Sequence, residues 1–160
     1  MEELKIVTNI QICTYNELSV IEKKLIDSAK EATQKSYAPY SNFNVGAAIL
    51  LEDRIIVTGN NQENVAYPSG LCAERTAMFY ANAQHPQLTP QAIAIAAYTQ
   101  GQFTETAISP CGSCRQVLLE TENRYKQAIR VLLYGEKEIM IVQSIRDLLP
   151  LAFTSLCKHV

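Results

Sequence analysis

"IRVLLYGEKEIMIVQS" (residues 129–144) holds two apolar runs separated only by Gly135, Glu136, Lys137 and Glu138. A parallel crossover takes a dozen or more residues, so a link this short joins antiparallel strands. These are the last two strands of the chain, and their direction decides which version of an α/β sheet the protein builds.

Working back from that hairpin, "CGSCRQVLLETE" reads as a helix, "AIAIAAYT" as a buried strand and "CAERTAMFYANA" as another helix. "FNVGAAILL" and "RIIVTGN" read as strands joined by Glu52-Asp53, again a tight antiparallel hairpin. A helix is predicted from about Tyr15 to Lys35. Thr14 and Glu17 form its capping box, and Leu18, Ile21, Leu25, Ala29 and Ala32 form one apolar face. After the last strand, Ser144 and Asp147 cap a short helix that ends before Pro150. "SYAPYSNFN" and "NQENVAYPSG" are loops. Near-continuous apolar strands alternating with helices need cover on both faces. The economical architecture is a three-layer α-β-α fold with one five-stranded mixed sheet, built as a single domain over residues 1–160.

Composition narrows the function. The chain is 48% hydrophobic, which supplies a core and excludes a disordered chain. Its 14 basic and 16 acidic residues give a net charge of −2, with no basic stripe, so a nucleic acid is not the expected partner. "MEELKIVTNI" lacks the apolar core of a signal peptide, and no stretch is long and apolar enough to span a membrane. A cytoplasmic protein is expected. A reducing cytosol turns the five cysteines toward metal binding or catalysis rather than disulfides.

Cys111 and Cys114 have the C-x-x-C spacing that puts two thiols on one face at a helix start. Cys72 follows "PSG" at another helix start. Helix N-termini favour thiolates, and three thiolates would leave the fourth tetrahedral position of a zinc ion open, as a catalytic site requires. The C-x-x-C alone is equally compatible with a redox pair or with two core thiols. A structural zinc would want a fourth protein ligand, and His85 and His159 are the only histidines. Cys13 and Cys157 have no such context and read as buried or incidental thiols. Glu74, two residues past Cys72, either complements the helix dipole or moves protons beside an open zinc.

"CAE" followed by "PCGSC" resembles the zinc-dependent nucleoside and nucleobase deaminases in their three-cysteine form. "YAPYSNFNVGAA", "NQENVAYP", "CAERTA", "PCGSCRQVL" and "DLLPLAF", in that order from about Lys30 to Phe153, are similar to the small homotetrameric cytidine deaminases. The resemblance implies hydrolytic deamination of cytidine and 2′-deoxycytidine to uridine and 2′-deoxyuridine plus ammonia, a step of pyrimidine salvage. Zinc, one per subunit, would activate the water that attacks C4, and Glu74 would be the proton shuttle. Cys72, Cys111 and Cys114 would be the metal ligands. Asn61 and Glu63 would hold the ribose, Phe43 would lie against the base, and the backbone of Ala73 would bond its polar edge. Phe153 would pack over the base from a neighbouring subunit, which makes the protein a homotetramer with shared active sites, and Tyr67 would help build that interface. Asn60 and Gln62 depart from the family pattern, where a cysteine and an aliphatic residue are common.

Two further readings complete the expectation. Three thiolates on Zn²⁺ carry an excess negative charge, and Arg75 is placed to withdraw some of it through a ligand sulfur. Glu63 would accept a bond from a sugar hydroxyl but repel a phosphate there, which favours a free pyrimidine nucleoside over a polymer. The antiparallel last hairpin points the same way, because the polynucleotide deaminases resemble a version with parallel strands there. The alternatives are a related deaminase of a nucleoside analogue such as blasticidin S, and a non-catalytic, zinc-stabilised nucleoside-binding module.

Overall fold

The computed structural model describes residues 1–154. Cys157 and His159 lie outside the described residues. In chain order the elements are β1 (Gln11–Cys13), α1 (Val20–Ala32), β2 (Asn44–Leu51), β3 (Ile56–Asn60), α2 (Ala73–Gln84), β4 (Pro90–Thr99), β5 (Gln102–Phe103), α3 (Gly112–Tyr125), β6 (Arg130–Tyr134) and β7 (Ile139–Val142).

The sheet runs β1-β7-β6-β4-β2-β3, with β5 paired to the end of β4. β6 and β7 are antiparallel, with Val131 opposite Val142 and Tyr134 opposite Ile139, as the short link between them requires. β4 and β6 are the parallel pair, and α3 makes the crossover between them. The sheet therefore has seven strands, not the expected five. The two additional strands, β1 and β5, are three and two residues long. Strands that short carry no periodic signal; they form because β7 and β4 leave ladder groups unpaired beside them.

Alternate residues divide the two faces. Ala48, Leu50, Ala92, Ala94 and Ala96 pack with Leu25, Ile26 and Ala29 of α1. Ala47, Ile49, Leu51, Ile93 and Ile95 face the opposite way, onto Ala77 and Met78 of α2 and Leu118 and Leu119 of α3. This is the expected three-layer arrangement, with one helix on one side and two on the other.

The first helix is shorter than expected. Glu17 does accept from the Thr14 backbone N–H at 2.7 Å, but that box closes only a 3₁₀ turn, Tyr15–Glu17. Leu18 and Ser19 are extended. A second box, Ser19 with Glu22, starts α1 at Val20: Ser19 N–H donates to the Glu22 carboxylate at 3.0 Å and Glu22 N–H to the Ser19 hydroxyl at 3.4 Å. Two boxes five residues apart compete, and the one followed by the apolar face that can bury begins the long helix. The link between β2 and β3 has four residues, a 3₁₀ turn Glu52–Arg54 followed by Ile55, where Glu52-Asp53 was expected. The last short helix is a 3₁₀ turn, Ile145–Leu148, and Ser144 caps it by accepting from Arg146 N–H.

One contact sets where α2 lies. A Cβ on Gly59 of β3 would stand 2.4 Å from the Ala77 nitrogen and 2.8 Å from the Ala73 carbonyl oxygen. Only glycine lets the first turns of α2 rest directly on the strand. That contact fixes the height of the helix end that carries Cys72 and Glu74.

Candidate active site

Cys72 is the N-cap of α2 and Cys111 the N-cap of α3, and neither side chain caps its own helix. Both thiols are thereby free to point off the helix ends. Cys114 lies one turn into α3 and is buried. The three sulfur atoms all lie within 4.8 Å of one another. Cys72 Sγ is 3.9 Å from Cys111 Sγ, and Cys111 Sγ is 3.5 Å from Cys114 Sγ. A disulfide would bring two sulfurs to about 2.0 Å. A tetrahedral zinc with Zn–S bonds of about 2.3 Å spaces its sulfurs about 3.8 Å apart. The spacing excludes a formed disulfide, and the convergence of three sulfurs is that of a metal site.

No fourth ligand completes the set among the described residues. His85 caps the far end of α2, about 20 Å along the helix from Cys72. Three thiols and one open position fit a catalytic rather than a structural zinc.

Without the metal the thiols divide a proton. A hydrogen bond from Cys114 is the largest of the influences that bring the Cys72 thiol down to about 5, and Arg75 assists. The same bond, followed by burial and the charge of Glu74, pushes Cys114 up. Neighbouring donors thus favour the thiolate at Cys72, while Cys114, buried inside the turn next to two negative groups, is held as a thiol. A divalent cation would remove that conflict.

Arg75 reaches back along its own turn. Its Nη2 is 3.8 Å from Cys72 Sγ and 3.5 Å from the Gly70 carbonyl. Its Nε is buried with no partner among the described residues. Glu74 is 5% exposed in the first turn of α2. Burial pushes its carboxyl above the ordinary range, and the charge of Cys72 adds to that. It stands outside the sulfur cluster yet close enough for its charge and that of Cys114 to act on each other. A carboxyl with a raised pKa beside a metal position, but not in the ligand set, is equipped to take up and return a proton.

A cavity of about 490 Å³ opens beside Cys72, lined among others by Tyr40, Asn61, Glu63, Tyr67, Leu71 and Arg75. Asn61 ends β3, and its side chain ties the strand to β2: Oδ1 accepts from Val45 N–H at 2.8 Å and Nδ2 donates to the Phe43 carbonyl at 2.8 Å. Glu63 accepts from the Ser41 hydroxyl at 2.5 Å and from Tyr40 N–H at 2.9 Å. Those bonds hold its carboxyl below the usual range, so it is an anion. Both residues anchor the 40–45 loop while facing the cavity.

The remaining predicted residues are distributed unevenly. Ala73 is fully buried between Cys72 and Glu74. Phe43 is half-buried at the start of β2 and does not line the cavity. Phe153 is 77% exposed and also off the cavity, its carbonyl held by Gln116 Nε2 at 2.9 Å. Tyr67 lines the mouth, edge-on to Tyr40 with ring centroids 5.9 Å apart. Sequence reasoning passed over Tyr40, Ser41 and Leu71, and the only signal they offered was their place in polar loops beside the recognised motifs. It also passed over Arg115, whose Nε donates to the Pro110 carbonyl at 2.8 Å, immediately before Cys111.

The family model described as the cytidine and deoxycytidylate deaminase zinc-binding region matches residues 19–129. The chain is 42% identical to a cytidine deaminase of Sporosarcina psychrophila over 132 residues, covering 82% of this chain and 90% of that one. It is 37% identical to a cytidine deaminase of Halalkalibacterium halodurans over 131 residues, covering 82% of this chain and 92% of the relative. The crystal structure of cytidine deaminase from Burkholderia pseudomallei is similar to it with a TM-score of 0.70 at 42% identity, over 81% of this chain and 97% of that one. The cytidine deaminase of Mycobacterium tuberculosis gives a TM-score of 0.67 at 34% identity, over 86% of this chain and all, 100%, of that one.

Proposed function

The chain belongs to the zinc-binding cytidine and deoxycytidylate deaminase family, and from that premise we propose how its own residues divide the work of deaminating cytidine. The protein is a zinc-dependent hydrolase that converts cytidine to uridine and ammonia. We extend the substrate to 2′-deoxycytidine, because no residue lining the cavity is assigned to the 2′-position.

Cys72, Cys111 and Cys114 hold one zinc ion, which when bound supplies the Lewis acidity that makes water a nucleophile at neutral pH. Glu74 takes a proton from that water and places it on N3 of the base. It then carries a second proton to the departing amine, while the N3 proton remains in the product. Its raised pKa supports both halves of that exchange. Asn61 and Glu63, which line the cavity, bind the ribose, and Arg75 offsets part of the negative charge of the thiolates. Phe43 and the backbone of Ala73, which are not among the lining residues, meet the base on the strength of the family resemblance alone.

Phe153 reaches the base of a neighbouring copy in a homotetramer. Its exposure away from its own cavity supports that reading, as does the exposure of Tyr67, which lines the cavity. No helix among the described residues is long and apolar enough to cross a membrane. Three free, closely spaced thiols suit the cytoplasm, and recovery of a pyrimidine from a free nucleoside suits a salvage step.

The observation that carries this reading is a three-sulfur cluster with a buried glutamate of raised pKa beside it and outside the ligand set. The deciding experiment follows cytidine by ultraviolet absorbance while zinc is counted per chain on the same sample. Turnover with about one zinc per subunit is expected. Zinc with turnover of a nucleoside analogue such as blasticidin S alone would replace the substrate, and zinc with no turnover on any nucleoside would leave a binding module.

A further inference from the structure

Residues 1–13 precede the region that matches the family, and most of them are exposed. Only Thr8 and Cys13 are even half-buried. Cys13 ends β1, which lies along β7 with Gln11 opposite Ile141, Ile12 opposite Met140 and Cys13 opposite Ile139. Gln143, just past β7, donates its side-chain amide to Gln11 Oε1 at 3.1 Å. Thr8 donates its hydroxyl to the Asp147 carbonyl at 2.8 Å.

Asp147 belongs to the 3₁₀ turn Ile145–Leu148, from which the chain runs on to Phe153. That turn has weak bonds of its own, Asp147 N–H to Ser144 O and Leu149 N–H to Arg146 O, both at 3.2 Å. Its position is set by the groups that grip it from outside. On one side Arg115 Nη1 donates to the Leu148 carbonyl at 2.7 Å. Ile145 N–H and the Ser144 hydroxyl bond the carboxylate of Glu122, on α3. On the other side the hydroxyl of Thr8 holds the adjacent carbonyl. Two successive carbonyls, of Asp147 and Leu148, are thus taken by two separate parts of the chain.

We propose that the N-terminal segment Thr8–Cys13 is a brace for the C-terminal strap that presents Phe153, and that Thr8 is its positioning residue. β1 anchors the segment to the sheet edge, and Thr8 transmits that anchor to the turn. A strap gripped only from the α3 side, by Arg115 at Leu148 and by Gln116 Nε2 at the Phe153 carbonyl at 2.9 Å, keeps both attachments but loses its hold on the opposite side, and the stretch between them gains freedom that the ring at its end shares. The proposal rests on reading Phe153 as a base contact. The brace itself is a property of the fold whatever the substrate.

The test compares Thr8→Val, which keeps the shape and loses the hydroxyl, with Thr8→Ser, which keeps the hydroxyl. Amide hydrogen exchange of residues 145–153 is read in the full chain without substrate. Thr8→Val should exchange faster there and Thr8→Ser should match wild type. With cytidine, Thr8→Val should raise KM about threefold to tenfold, the range one partly buried hydrogen bond sets, with kcat within about twofold and zinc content unchanged. In a Phe153→Ala background Thr8→Val should raise KM no further. Unchanged exchange in Thr8→Val overturns the brace. Faster exchange with an equal KM rise in both backgrounds overturns its action through Phe153. Because exchange needs no substrate, a wild-type protein inert toward cytidine would count against the deaminase reading and leave the brace to be decided separately.

Discussion

The guanidinium of Arg75 lies 3.8 Å from the sulfur of Cys72, one turn back on α2, and its Nε is buried there without a partner among the described residues. A cation with one contact on a ligand sulfur and a buried N–H left over is placed for charge rather than for packing. Three thiolates would overcompensate a divalent ion, and on the proposed reading Arg75 offsets some of that excess. Arg75→Gln removes the charge and, being two atoms shorter, withdraws the donor from the sulfur. Turnover should fall about tenfold to a hundredfold, the usual cost of disturbing a metal ligand's partner. Steady-state kinetics and metal analysis on one sample check this. Equal turnover and equal zinc would make Arg75 an ordinary helix residue.

Glu74→Gln separates chemistry from metal binding. Glutamine matches glutamate in size and cannot carry a proton, so deamination should drop by about a hundredfold to ten-thousandfold. Glu74 stands outside the sulfur cluster, so zinc content should not change. A variant that keeps its zinc and its activity would remove Glu74 from the mechanism.

The sequence made the metal site legible where its information is local. Cys111 and Cys114 share a turn, so spacing pairs those two thiols; that Cys72, at the start of another helix, joins them was implied by the family resemblance. The last hairpin, also local, was legible from its short link. What the sequence hid depends on contacts far along the chain. β1 has no pattern of its own and exists because β7 offers an edge more than a hundred residues later. The start of α1 was misplaced because Thr14 and Ser19 carry equivalent signals, and only burial of Leu25 and Ile26 chooses between them. Asn61 and Glu63 were read as sugar ligands through family resemblance; that they also fasten the 40–45 loop needed coordinates.

Glu122 is 3% exposed on α3, a charged group in a place charges rarely occupy. Its carboxylate accepts from Ile129 N–H at 2.8 Å, Ile145 N–H at 2.9 Å and the Ser144 hydroxyl, with Arg146 Nε at 3.7 Å. It satisfies the backbone just ahead of β6 and at the turn after β7 at once. Glu122→Leu leaves two buried N–H groups without partners and should cost about 3 kcal/mol. Urea unfolding should show a lower midpoint with an unchanged slope. A midpoint equal to wild type would mean the two loops find other acceptors.

Glu22 links helix initiation to the sheet, and its charge makes that link depend on pH. Its carboxylate accepts from the Ser19 hydroxyl at 2.5 Å, from Ser19 N–H at 3.0 Å and from Arg130 Nε, at the start of β6, at 3.0 Å. Burial acts to raise its pKa, but the bonds from Ser19 and Arg130 outweigh burial and leave it below the ordinary value of 4.5. A folded-state pKa that is depressed favours the folded state above the ordinary glutamate range, and the stabilisation disappears as pH falls through the depressed value. Glu22→Gln should therefore lower stability by about 1 kcal/mol near neutral pH, where the cap and the ion pair both lose their charge. As pH falls through the depressed value, wild-type Glu22 takes up its proton and the two melting temperatures should converge. Thermal unfolding of both proteins across that range decides the point. A gap that stays constant with pH would assign the effect of residue 22 to its shape and hydrogen bonding, with no part played by its charge.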